Sequence, residues 1–198
     1  MLKKQAKVLS DHQVKAVLKY LECSPRNALR NQIMFLLSLH GCRAKEIAEL
    51  QIGMIVDASG QLAEVIALED KASKGNSGRV IPINKILRSL LKTYLLERLG
   101  DLSQYVIQTE RSEKFSANAI AVFFKRLYKK LGLVGCSSHS GRRTFITNCA
   151  RKTSTVGGSL RDVMALAGHK NLAITQKYIV ENPEAQRALI DGLYSSLR

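Results

Sequence analysis

The chain has 198 residues, of which 45% are hydrophobic, and this is enough apolar material for one domain with a sizeable core. No apolar run approaches the roughly 20 residues that a bilayer span needs, and none follows the basic start MLKKQAKVLS, so we expect a soluble protein without a signal peptide. Thirty-one Lys and Arg against 16 Asp and Glu give a formal charge of +15, which indicates a polyanionic partner. Nucleic acid is the first candidate and an acidic membrane surface the second, while a merely basic housekeeping protein remains an alternative.

The first two helices are predicted from their end signals. Ser10 opens a helix with Gln13 at the reciprocal capping position, and the Ser-Pro pair at 24–25 ends it. A very apolar helix then runs from about Asn27 and stops at Gly41. The stretch GCRAKEIAEL, directly after it, predicts a short amphipathic helix.

The middle of the chain changes to a strand pattern. MIVDASGQLAEVIALEDKASKGNSGRVIPI contains three β-prone runs separated by turn signals at 57–60 and 75–78. This pattern predicts a small three-stranded antiparallel sheet, with Pro82 suited to an edge. The helical period returns from Asn84 to Gly100, and again from about Ser116.

The last third is predicted to form short helices. One spans about 142–150, Ser159 and Asn171 cap the next two, and Pro183 starts a final helix that ends near Leu197. No internal repeat or interdomain linker is visible. We therefore predict one domain over residues 1–198 that is mainly α with a small three-stranded antiparallel β-sheet (α+β).

The four cysteines do not suggest a metal site or a disulfide framework. They lie at 23, 42, 136 and 149, and none forms a C-x-x-C pair. Cys136 and His139 have half of a zinc spacing, but the other half is missing. We expect four reduced thiols.

Polar residues of phosphate-binding type recur at the edges of apolar elements. Arg43 follows the Gly41 helix stop, and a lysine lies at the tip between two predicted strands. His139 and Arg142 are three residues apart and so share one helical turn. Taken singly, each has an ordinary explanation as a solvated charge, a helix cap or a half-buried aromatic.

The order of these segments resembles a known family. HGCRAKEIAEL, SKGNSGRVIPI, HSGRRTF and LAGHKNLAITQKYI are similar, over about residues 10–185, to the catalytic boxes of the tyrosine recombinases of the phage-integrase family. The resemblance implies that family's catalytic-domain fold and a catalytic set made of Arg43, Lys74, His139, Arg142, His169 and Tyr178. Lys71 is the lesser candidate for the hairpin lysine, and Glu46 matches a supporting acidic position. We expect the basic residues within or beside these boxes to bind DNA, namely Lys71, Arg79, Arg143 and Lys170.

The chemistry that the family performs requires these residue types. Breaking a phosphodiester needs a nucleophile, a charge clamp on the non-bridging oxygens and an acid for the leaving oxygen. Two permanently charged, forked guanidiniums suit the clamp. A phenol suits the nucleophile if a base takes its proton, and His139 is the preferred base, with His169 hydrogen-bonded to the phosphate or the tyrosine. Lys74 is expected to protonate the leaving 5′-oxygen, and the reaction is expected to use no metal, cofactor or ATP.

The resemblance also implies partners and location. The expected partner is double-stranded DNA, bound by a homo-oligomer of about four subunits that assembles from free monomers, with room for an accessory DNA-bending protein and no membrane. The expected location is the cytoplasm of a bacterium, with the gene carried by the bacterium or a phage. Most members carry a DNA-clamping domain before the catalytic one, and the first predicted helix already starts near residue 10, so we expect no such domain here.

Two other functions remain open at the level of sequence. A type IB topoisomerase would use the same chemistry to relax supercoils instead of exchanging strands. A DNA-binding regulator of recombination would keep the fold without catalysis, although such a protein has no need of a phenol nucleophile.

Overall fold

A computed structural model describes residues 5–69, 78–96, 101–178 and 183–193. In these ranges the chain is mainly helical, as predicted, and one pair of strands is present. The helices are α1 (Asp11–Glu22), α2 (Ala28–Leu39), α3 (Ala44–Glu49), α4 (Lys85–Leu95), α5 (Ala117–Lys130), α6 (Ser140–Lys152), α7 (Leu160–Ala167), α8 (Leu172–Gln176) and α9 (Pro183–Leu193). The strands are β1 (Val65–Leu68) and β2 (Arg79–Pro82).

Helix starts follow the capping signals of the sequence. The Ser10 hydroxyl accepts the Gln13 N–H at 3.3 Å, and the Gln13 side chain accepts the Ser10 N–H at 3.0 Å, so the predicted capping box is confirmed. Asn171 caps α8 in the same way, by accepting the Ile174 N–H at 3.1 Å. These local hydrogen bonds fix where the helices begin before any tertiary packing is considered.

The core is built around α2, which packs against α1, α4 and α6. Five consecutive side chains, from Ile33 to Leu37, are at most 4% exposed, because α2 is covered on every side. Burial of each such side chain contributes about 1.5–3 kcal/mol. The contact with α6 is close because Gly141 has no side chain: a Cβ there would lie 2.1 Å from the Ser38 hydroxyl oxygen. The fold therefore presses α6 directly onto α2.

The predicted three-stranded sheet is wrong in its first strand. Among the described residues the sheet has two strands, paired antiparallel with Ile66 opposite Ile81, and the run before β1 contributes a single bridge between Val56 and Leu62. The turn between these two residues is itself well formed, because the Asp57 carboxylate accepts the N–H groups of Ser59 at 2.9 Å and Gln61 at 3.0 Å. The pairing stops on the other side of the bridge, before Val56.

Upstream of that turn, the backbone is committed to other partners. Residues Ile52–Met54 form a 3₁₀ turn, and the Ile52 and Gly53 N–H groups donate to the Gln104 and Leu102 carbonyls, each at 2.9 Å. A strand at this position would need those donors. The first β-prone run is therefore a tight turn held by a distant loop.

A second, small apolar cluster lies apart from the main core. It consists of Ile146 from α6 with Val163 and Ala167 from α7, and Tyr178 packs against it. This cluster fixes α7, and the segment that follows it, against α6. None of the helices in the described ranges is long and apolar enough to cross a membrane.

Candidate active site

Arg43 lies where α2 gives way to α3. It is the N-cap residue of α3, and the Glu46 carboxylate accepts both its backbone N–H at 2.7 Å and its guanidinium at 2.6 Å. The Arg43 side chain remains 29% exposed, whereas that of Glu46 is completely buried. A buried carboxylate thus holds a half-exposed guanidinium at the surface of the core.

Arg142 is buried in α6, where it donates to two helix ends. One guanidinium nitrogen donates to the Gly41 carbonyl at 2.5 Å and the other to the Ala167 carbonyl at 2.6 Å, just beyond α2 and at the end of α7. Carbonyls at helix C-termini carry partial negative charge and so stabilise a buried cation. Burial, followed by the charges of Arg43 and Arg79, lowers the pKa of Arg142 to about 10, which still leaves it charged at neutral pH.

Arg79, the first residue of β2, is not at the surface. We predicted a DNA contact for it, but its side chain is 4% exposed and its donors are used internally. It forms a bidentate ion pair with Glu46, at 2.9 and 3.0 Å, and its Nε donates to the Leu166 carbonyl at 2.8 Å. Together with a bond to the Gly41 carbonyl, this commits four of the five guanidinium N–H groups to partners inside the protein. The buried position is incompatible with the predicted direct DNA contact by Arg79.

The carboxylate of Glu46 is the negative centre of this cluster. Burial alone would raise the pKa of Glu46, but the hydrogen bond and charge of Arg79, together with Arg43, outweigh burial and lower it to about 2. The carboxylate is therefore ionised at any physiological pH. Arg43 and Arg79 are paired with this carboxylate, and Arg142 lies near it without a direct bond, so three guanidiniums and one carboxylate leave a surplus of two positive charges.

His169 follows the end of α7 and is held from both sides. Gly168 ends the helix in the left-handed conformation with φ of +60°, and a Cβ there would lie 2.9 Å from the Arg79 side chain. The His169 Nδ1 is hydrogen-bonded to the buried Thr175 hydroxyl at 2.9 Å. Burial, followed by the charges of Arg142, Arg43 and Arg79, lowers the pKa of His169 to about 4, so the ring is neutral at pH 7.

Tyr178 lies in the turn after α8 and stacks on His169. The two ring centroids are 5.4 Å apart with an interplanar angle of 26°. The Thr147 hydroxyl of α6 donates to the Tyr178 carbonyl at 3.2 Å. This bond and the apolar cluster of α6 and α7 attach the tyrosine to the helix that carries Arg142.

Five of the six predicted catalytic residues meet in one cleft of about 640 Å³. The five are Arg43, His139, Arg142, His169 and Tyr178. His139 is the exposed N-cap residue of α6 and lies at the cleft's edge, one turn before the buried Arg142. The sixth, Lys74, and the alternative Lys71 lie outside the described residues.

Two of the other predicted DNA-binding residues, Arg143 and Lys170, line the same cleft. Lys170 is exposed at its rim. The guanidinium of Arg143 donates to the Gln5 side chain, while its buried Nε has no partner within the described part of the chain. Sequence reasoning missed Gln5, Ser137 and Lys177, which also line the cleft. Of these three, only Lys177 could have been suspected from the sequence, because it is a basic residue directly before Tyr178.

Comparison with known proteins identifies the family. The model of the phage integrase family matches residues 7–185. The chain belongs to the phage integrase family. Its integrase relatives include the tyrosine recombinase XerA of Pyrococcus horikoshii, which is 30% identical over 175 residues covering 87% of this chain and 56% of the relative. The chain thus spans little more than half the length of that integrase.

Solved structures of integrase-family proteins share the fold. The Tn1549 transposon integrase in complex with a circular intermediate DNA matches with a TM-score of 0.74 and 16% identity, over 97% of this chain and 67% of that one. The XerH site-specific recombinase in a post-cleavage complex with its palindromic difH substrate matches with a TM-score of 0.73 and 19% identity, over 93% and 52%. The predicted tyrosine recombinase catalytic-domain fold is confirmed, apart from the missing strand.

Proposed function

We propose that this chain cleaves and rejoins DNA at specific sites through a covalent 3′-phosphotyrosyl intermediate. The observation that carries the proposal is the cleft that a phenol and two imidazoles line together with Arg43 and Arg142, whose guanidinium cluster has fewer carboxylates than positive charges. An anion is needed to balance that charge, and the DNA backbone offers one phosphate at every step. A relative named as a tyrosine recombinase supports the same reaction, and structural neighbours solved in complex with DNA support the same substrate.

The surplus charge fits the transition state better than the ground state. A phosphodiester carries one negative charge, and the five-coordinate species formed on attack carries two. The guanidinium cluster has a surplus of two positive charges, so its attraction grows as the reaction proceeds. We therefore assign Arg43 and Arg142 to the non-bridging oxygens, and loss of either should cost on the order of 10²–10³ in rate.

The two histidines receive different roles. The low pKa of His169 makes its ring a poor proton acceptor, because burial, and after it the charges of three guanidiniums, oppose its protonation. Its bond to Thr175 fixes the ring, which suits a neutral group that hydrogen-bonds the phosphate. His139, at the exposed edge of the cleft, is then the base that takes the Tyr178 proton.

Attack by the Tyr178 oxygen forms the phosphotyrosyl bond and breaks the bond to the 5′-oxygen. That oxygen must gain a proton, which by family resemblance comes from Lys74. The new bond conserves the energy of the old one, so a 5′-hydroxyl can reverse the step without ATP. Because the charges are supplied by guanidiniums, we propose that the step needs no metal ion.

Strand exchange requires more than one copy of the chain. By resemblance we propose about four subunits on two duplexes, assembled from free monomers, with an accessory DNA-bending protein where the site demands it. Integration, excision and inversion differ only in how the two sites are arranged on DNA.

The test is capture of the covalent intermediate. Purified protein is incubated with nicked duplexes of randomised sequence, from which the short cleaved strand diffuses away, and adducts are isolated by denaturing gel and sequenced. The wild type and the Tyr20→Phe variant, altered outside the cleft, should form an adduct, whereas Tyr178→Phe should form none. DNA binding by the wild type without any adduct would support a non-catalytic binder, and relaxation of plasmid without strand exchange would support a topoisomerase.

A further inference from the structure

We propose that Arg79 is a positioning residue that sets the geometry and charge of both phosphate-binding guanidiniums without touching DNA. This inference rests on the proposed function, since it assigns Arg79 to the same reaction. Its side chain is 4% exposed and lies beneath the cleft, at the start of β2. Its effect must therefore pass through the groups that it contacts.

The first of these groups is Glu46, which Arg79 shares with Arg43. Glu46 Oε1 accepts from Arg79 at 2.9 Å and from the Arg43 guanidinium at 2.6 Å. Glu46 Oε2 accepts from Arg79 at 3.0 Å and from the Arg43 backbone N–H at 2.7 Å. Because each oxygen serves two donors, Arg79 takes up much of the carboxylate's charge, and Arg43 keeps charge available for a phosphate.

The second link runs to Arg142 through helix ends. The Gly41 carbonyl accepts from Arg142 at 2.5 Å and from Arg79 at 3.3 Å. At the end of α7, Arg79 takes the Leu166 carbonyl and Arg142 takes the next one, that of Ala167. The two guanidiniums are therefore fixed side by side on the same two segments, and a shift of Arg79 would move both acceptors of Arg142.

Removal of Arg79 alone changes the charge of the cluster. In an Arg79→Met variant, Glu46 would keep Arg43 as its ion-pair partner. The net charge of Arg43, Arg142 and Glu46 would then be one positive charge, compared with two when Arg79 is present. In the double variant Arg79→Met/Glu46→Gln the carboxylate charge is gone as well, and the surplus of two returns. A purely structural role predicts no such recovery, because the double variant loses both halves of the pair.

The experiment measures single-turnover adduct formation on a duplex that the wild type cleaves. We expect Arg79→Met to slow adduct formation by about 10- to 100-fold, with DNA affinity changed less than about threefold, since this cluster is expected to hold one of several bound DNA phosphates. The double variant should form the adduct about tenfold faster than Arg79→Met, or more. Arg79→Lys keeps the charge but not the fork, so it should fall between Arg79→Met and the wild type. The matched control is Arg88→Met, which removes an arginine paired with Glu64 at the surface and should leave the rate unchanged.

A second measurement does not depend on cleavage. Inorganic phosphate is titrated into the same variants, and the ring signals of His169 are followed by NMR, with thermal unfolding recorded for each. Phosphate binding should weaken in Arg79→Met and recover in the double variant. Equal rates and equal phosphate binding in the wild type and Arg79→Met, or a double variant weaker than Arg79→Met, would overturn the inference. No adduct with the wild type would instead overturn the proposed function, and the phosphate titration would still decide the role of Arg79.

Discussion

Gly141→Ala is the substitution with the sharpest predicted effect, since it adds one methyl group where α6 meets α2. That carbon would lie 2.1 Å from the Ser38 Oγ and 2.8 Å from the Ser38 Cβ. Favourable carbon contacts begin near about 3.5 Å, so the helices must separate by roughly 1 Å. Overpacking of this kind costs about 1–3 kcal/mol, which in a chain of this size lowers the Tm by about 2–12 °C.

The same displacement reaches the cleft, because Arg142 is the next residue and its guanidinium bonds the carbonyl beyond α2. Misplacement of a catalytic group by about 1 Å costs on the order of 10²-fold in rate. We therefore expect adduct formation to fall by about that factor in molecules that are still folded, as judged by circular dichroism at a temperature well below the transition.

Two companion variants test whether the clash between the added methyl group and Ser38 causes the loss of stability. Adding Ser38→Ala to Gly141→Ala removes the closest atom but not the Ser38 Cβ, so part of the lost Tm should return. Gly192→Ala places the same methyl group on α9 in open space and should leave the Tm unchanged or slightly higher. A Gly141→Ala protein that melts within about 1 °C of the wild type and cleaves at its rate would refute the close packing described here.

Three further outcomes are expected. If Lys74 protonates the leaving oxygen, the Lys74→Ala variant should cleave an ordinary duplex about 10²-fold more slowly or worse. It should cleave a 5′-phosphorothiolate duplex at nearly the wild-type rate, since a thiolate leaves without a proton. Equal slowing on both duplexes would exclude that role. The pKa of His169 is about 4 in the folded chain and 6.5 for a free imidazole, so between these pH values the unfolded state binds a proton that the folded state does not. Stability to urea should therefore fall as the pH drops from about 6.5 toward 4, and the His169 contribution should level off below that. The His169→Gln variant should show a weaker dependence of stability on pH. DNA affinity should fall steeply with salt concentration, as expected when several phosphates are neutralised. A Kd that stays unchanged when the salt concentration is doubled would contradict the interpretation that the charge of +15 serves to bind a polyanion.

The parts of the fold that could be predicted are those that local chemistry decides. The Ser10 and Asn171 caps each bond an N–H three residues away, so the sequence window contains the whole interaction. The failed strand before Asp57 shows the opposite case. Its backbone donors are taken by a loop about 50 residues later, which no local pattern reveals.

The site residues also fall into two groups, those that the sequence locates and those whose position depends on distant contacts. Family boxes locate Arg43, Arg142 and Tyr178, but a box says nothing about which basic residue is buried. Arg79 follows a Gly/Ser-rich turn and looks like a surface charge, yet its partners Glu46 and Leu166 lie 33 and 87 residues away. Its true position depends on tertiary packing alone.

The bond from Thr147 to the Tyr178 carbonyl has a consequence for how copies of this chain cooperate. It ties Tyr178, the proposed nucleophile, to the polypeptide that also supplies both guanidiniums, so under the proposed mechanism each copy of the chain carries its own nucleophile and its own phosphate-binding arginines. Two inactive variants, one lacking the phenol and one lacking the Arg142 side chain, will therefore not complement each other when mixed.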